Sequence, residues 1–92
     1  MPMSEQRQLT AAGLADLCLG QLAEDPGQLA AFMGFAGYDP TALRRAVGTQ
    51  QLATGLIDYF AANEPLLLSL CANHNIKPEQ FMHVWHRLNP SA

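Results

Sequence analysis

Four residues in the second half of the chain are of types that bind metals. Cys71, His74, His83 and His86 spell Cys-x2-His-x8-His-x2-His, which on paper supplies two close pairs of zinc ligands. Zinc needs its donors to converge on one point. Helical periodicity puts His83 and His86 about 60° apart on one helix, on the side opposite Phe81, Trp85 and Leu88. Cys71 and His74 extend the apolar face of the preceding helix. If the two helices pack through their apolar faces, the pairs point away from each other. The expectation is therefore no cofactor: a buried thiol, one histidine near a helix end and two solvated histidines. The His83/His86 pair stays as an alternative metal site.

The carboxylates give no dyad either. Asp25, Asp39 and Glu64 fall at helix starts, where an acid satisfies free N–H groups and the helix dipole. Asp16 and Asp58 fall mid-helix on polar stripes and read as solvated. No nucleophile elbow, phosphate-cradling glycine loop or dinucleotide fingerprint occurs. An enzyme is not expected.

Nucleic acid is the next class. Phe32 to Val47 reads as helix, glycine turn, helix, with Arg44 and Arg45 exposed on the second helix. That is the outline of a helix-turn-helix. Yet five Lys+Arg stand against eight Asp+Glu, for a net charge of −3. Such a balance gives a weak phosphate footprint, so DNA binding through Arg44 and Arg45 is a minor alternative.

These residues sit on elements that punctuation marks clearly. Ser4 can cap a helix from about Glu5 to Leu22. Asp25-Pro26 opens a second, with Gly37 as its stop, because Asp caps and proline suits the first helical position. Asp39-Pro40 opens a short third helix to Val47. Thr49 caps a fourth, to about Ala62. Asn63-Glu64-Pro65 opens a fifth, stopped near Asn75, and Lys77-Pro78 opens a sixth, to Leu88. No window alternates with period two, so no sheet is expected. Pro26 and Pro65 lie 39 apart and Pro40 and Pro78 lie 38 apart, which suggests two similar three-helix halves. The fold expected is all-α, a compact irregular bundle of about six short helices in one domain over 1–92, with loose ends at 1–4 and 89–92.

At 92 residues, 49% hydrophobic and only 14% charged, the chain has ample apolar surface to bury and is not a disordered type. No run approaches the roughly 18 apolar residues a bilayer span needs. Cys18 and Cys71 lie within apolar helical patterns, where a thiol behaves as a small hydrophobe. Together with a start that lacks the pattern of a secretion signal, this points to reduced thiols and the cytoplasm.

Wheels place Leu29, Phe32, Met33 and Ala36 on the core side of the second helix. Leu52, Leu56, Tyr59 and Phe60 take that side of the fourth, and Phe81, Val84, Trp85 and Leu88 that of the sixth. The fifth helix is apolar nearly all round and is expected to be the most buried. Phe35, Ile57, Leu68 and Leu14 fall off their helices' main faces. Gly13 and Gly20 form a small-residue stripe that would admit another helix. Surplus apolar residues with no reactive constellation suggest a non-catalytic protein–protein interaction module, with a homodimer as one form. The triplet Met33-Gly34-Phe35 resembles the loop of ubiquitin-associated domains, but it falls inside a helical pattern, which assigns it to core packing.

Three stretches carry a fuller resemblance: Gln21-Leu22-Ala23-Glu24-Asp25-Pro26, Gly37-Tyr38-Asp39-Pro40-Thr41-Ala42-Leu43-Arg44, and Asn63-Glu64-Pro65-Leu66-Leu67-Leu68. In this order they resemble a small bacterial family catalogued as domain of unknown function 3572, from about Leu9 to Leu88. The resemblance implies a small helical bacterial protein. It carries no activity and no functional residues.

Overall fold

Helices begin where a side chain can accept a free backbone N–H or where proline removes one. The computed structural model describes residues 9–91. Among them lie six helices: α1 (Ala11–Ala23), α2 (Pro26–Ala36), α3 (Pro40–Ala46), α4 (Gln50–Ala61), α5 (Glu64–His74) and α6 (Pro78–Leu88). The fold is an all-α bundle.

The expected cap at Ser4 lies outside the described residues. Within them Thr10 caps α1, its Oγ1 accepting from Gly13 N at 3.0 Å. Asp25 Oδ1 accepts from Gly27 N and Gln28 N, and Asp39 Oδ1 from Ala42 N at 2.7 Å. Thr49 Oγ1 accepts from Leu52 N at 3.2 Å. At α6 the reach is reversed: Gln80 Oε1 accepts from Lys77 N at 2.8 Å.

The echo seen in the punctuation has a backbone counterpart. Thr10 and Thr49, 39 positions apart, cap α1 and α4 in the same way. Gly37 and Asn75, 38 apart, both turn left-handed, with φ of 83° and 56°. After each, the next residue donates back to the same kind of acceptor: Tyr38 N to Met33 O and Ile76 N to Cys71 O, both 2.9 Å. Asn adopts this conformation at lower cost than other residues with a Cβ. The likeness stops at the third member. The seven-residue α3 buries only Leu43, whereas α6 packs back on α4, α5 and α1.

The two first helices form the centre. α1 lies along α4, and α5 and α6 close on that pair. From Leu52 to Ala61 no residue of α4 is exposed. This corrects the expectation that α5 would be the most buried helix: Leu68, Ser69, Ala72 and Asn73 of α5 face water. Uniform apolarity allows burial but does not compel it. Position is decided by which helix has neighbours on several sides.

The core draws on every helix, from Cys18 and Leu22 through Phe32, Leu43, Phe60 and Leu70 to Phe81. It holds no polar or charged residue among those described. Ile57, expected at the surface, is fully buried, and so is Leu14. Both follow from the central pair, since each of its helices meets partners on more than one face. Ala36, expected inward, is exposed.

Candidate interaction surface

α2 reads Pro-Gly-Gln-Leu-Ala-Ala-Phe-Met-Gly-Phe-Ala and carries no charge. It packs on α1 through one side, where Phe32 is buried and Leu29 and Met33 are half-buried. The other side, with Gly27, Ala30, Ala31 and Gly34, is exposed. Beside it Phe35 is 78% exposed. This corrects the assignment of the Met33-Gly34-Phe35 triplet to the core: it lies within α2, but Phe35 points out.

Phe35 does not stand alone. Its ring lies 5.4 Å from that of Tyr59, and Tyr59 meets Phe32 edge-on at 5.1 Å. An aromatic ladder thus runs from the core to the surface and props the outermost ring. Aromatic pairs at these distances add about 0.5–1.5 kcal/mol beyond area burial. A propped ring also loses less entropy when a partner covers it.

The other predicted surface residues divide. Leu68 is 48% exposed on α5. Ile57 is core and leaves the candidate set. Gly13 lies under the cap, where a Cβ would stand 3.1 Å from Thr10 Oγ1 and press on it. At Gly20 a Cβ would meet nothing within 4 Å. No described helix covers Gly20, which is exposed, and α2 presents a second uncovered small-residue face. The sequence signal was there in Gly27, Ala30, Ala31 and Gly34, but the flanking apolar residues hid it.

Asp58 is also unlike the reading from sequence. It is half-buried, and its Oδ1 accepts from Trp85 Nε1 at 2.8 Å and Asn89 Nδ2 at 3.2 Å. Asn89 Nδ2 reaches back to Trp85 O as well. Asn89, the residue that follows α6, comes four positions after Trp85. A half-buried indole N–H needs an acceptor, and Asp58 is the one α4 supplies.

Cys71 is buried while His74, His83 and His86 are exposed. No group of three or more potential ligands comes together among the described residues. Arg44 and Arg45 are exposed in the last turn of α3, where they complement the helix dipole. Both cysteines are free. Burial, and secondarily the neighbouring Cys71, pushes the Cys18 thiol up to about 12, and burial raises Cys71 too. Neither is a ready nucleophile.

An apolar cleft of about 290 Å3 opens between α1, the α3–α4 corner and the end of α6. Its walls include Ala12, Ala15, Val47, Ala53 and Leu88, and Asp16 is its one charged residue among those described. No described helix is long and apolar enough to cross a membrane.

A family profile described as "Protein of unknown function (DUF3572)" matches residues 8–91. The chain belongs to this family. No curated protein and no solved structure shows significant similarity to it. In this DUF3572 member the profile spans all six helices, so the left-handed corners, the Asp58–Trp85 bond and the Phe35 ladder all lie within the matched region.

Proposed function

We propose that this DUF3572 protein is a non-catalytic protein–protein interaction module whose partner at the α2 face is a second copy of the chain. The observation that carries this reading is Phe35: a large aromatic side chain, 78% exposed, its ring against that of Tyr59, on a helix with no charge. Aromatic residues are enriched among the anchors of protein interfaces. At net charge −3 two copies of the chain repel weakly overall. The α2 face is where two copies meet without opposing charges, and a two-fold pairing sets the same patch against itself. Two buried, protonated thiols suit a reducing compartment, which supports a cytoplasmic setting.

Light scattering across a concentration series tests this. The mass is expected to rise from 10.0 kDa towards twice that value. Phe35→Asp is expected to hold it at 10.0 kDa with helicity unchanged. A wild-type chain that stays solitary at millimolar concentration overturns the self-pairing.

A further inference from the structure

The cleft beside Asp16 uses no residue of α2 and has its own chemistry. Three chain-distant parts form it: the first turns of α1, the α3–α4 corner and the end of α6. The room comes from alanines. Ala12, Ala15 and Ala53 line it where larger side chains would close it. Val47, at the corner, is apolar yet 52% exposed. At about 290 Å3 the space lies at the small end of the range for small-molecule sites.

Charge then narrows the class. Asp16 is exposed and is the one charged lining residue among those described. The start of α4 also borders the cleft at Gln50, but a helix N-terminus carries only about half a positive charge, against the full charge of a carboxylate. The Thr49 hydroxyl is already engaged, donating to Ala46 O at 2.6 Å and accepting from Leu52 N. Arg87, whose guanidinium donates to Leu9 O beside the start of α1, is not part of the described lining. Within that lining the Asp16 carboxylate is the one full charge and favours a cation. We propose that this cleft is a binding site for a small amphiphilic amine, its apolar body between α1 and the α3–α4 corner and its ammonium on the Asp16 carboxylate.

An NMR titration of the full chain tests this with three probes of one shape: phenethylammonium, 2-phenylethanol and 3-phenylpropanoate. Shifts are expected to concentrate on Ala12, Ala15, Val47 and Gly48. The ammonium should bind about threefold more tightly than the alcohol, as an exposed ion pair gives, with the carboxylate weakest. Asp16→Asn should remove the ranking and leave the shifts in place. Ala12→Leu, at an exposed position, should fill the cleft and weaken all three probes with helicity intact. Equal or tighter binding of the carboxylate, scattered shifts, or no shifts at all would overturn the site. So would movement of the same resonances on simple dilution, which would give the cleft to a second copy. The Phe35→Asp mass measurement is unaffected by any of these outcomes.

Discussion

The Trp85 indole donates to Asp58 Oδ1 at 2.8 Å, joining α6 to the central helix α4 across 27 positions of sequence. The same oxygen accepts from Asn89 Nδ2, so one carboxylate fastens the end of α6. A hydrogen bond to a charged group contributes about 1.5–3 kcal/mol when well buried; half-exposed, this one is expected nearer the low end. Asp58→Ala should lower unfolding free energy by about 1–2 kcal/mol. It should also alter the emission of Trp85, the sole tryptophan. A double-mutant cycle with Trp85→Phe should return a coupling above about 0.5 kcal/mol. Additive effects would show that the bond contributes nothing.

Ile57 and Leu68 have similar side chains and opposite surroundings. Ile57 is wholly buried, and Leu68 is 48% exposed. Ile57→Ala is expected to cost about 2–5 kcal/mol, and Leu68→Ala less than about 1 kcal/mol. Urea unfolding of the two variants measures both. Similar losses would contradict their placement.

Phe35 gives a third comparison. Its truncation removes one aromatic contact with Tyr59, so Phe35→Ala should cost no more than about 1.5 kcal/mol. Phe32→Ala, in the core of the same helix, should cost about 3–5 kcal/mol. Thermal melts at one fixed low concentration separate the two, since self-association raises apparent stability.

The cysteines predict an alkaline limb. The Cys18 thiol is raised from 9.0 to about 12, first by burial and then by Cys71. Below about pH 9 both folded and unfolded chains hold this proton, and its stabilising effect is complete. Between about 9 and 12 only the folded chain holds it, so stability falls as pH rises. One proton gives a slope of at most about 1.4 kcal/mol per pH unit. Cys18→Ala should have lower stability at pH 7 but a shallower decline above pH 9. The native thiols should also resist alkylation at pH 8 and react fully in denaturant. A flat wild-type profile from pH 9 to 11 would contradict the raised thiol.

The helices were legible because their ends are written in single residues. Asp25-Pro26, Asp39-Pro40, Thr49, Gly37 and Asn75 each act through their own backbone neighbours, and short-range chemistry survives any tertiary arrangement. Burial was less legible. A wheel ranks one face per helix, but Ile57 is core because α4 has neighbours on several sides, and Phe35 is outside because α2 has few. Asp58 was misread for the same reason. Its partners lie 27 and 31 positions away, and nothing local marks the pairing. The α2 stripe was not seen beside the one at Gly13 and Gly20, because Leu29, Met33 and Phe35 mask it while those glycines stand out beside Asp16.

The placement of α1 against α4 bears on how the chain comes off the ribosome. The first three helices emerge with the seam of α1 bare, because the helix that covers it is some forty residues downstream. The amino-terminal half therefore has no finished interior until α4 has cleared the exit tunnel. A fragment ending at Gly48 is expected to bind hydrophobic dyes and holdase chaperones, and the chain extended through α6 to shed them.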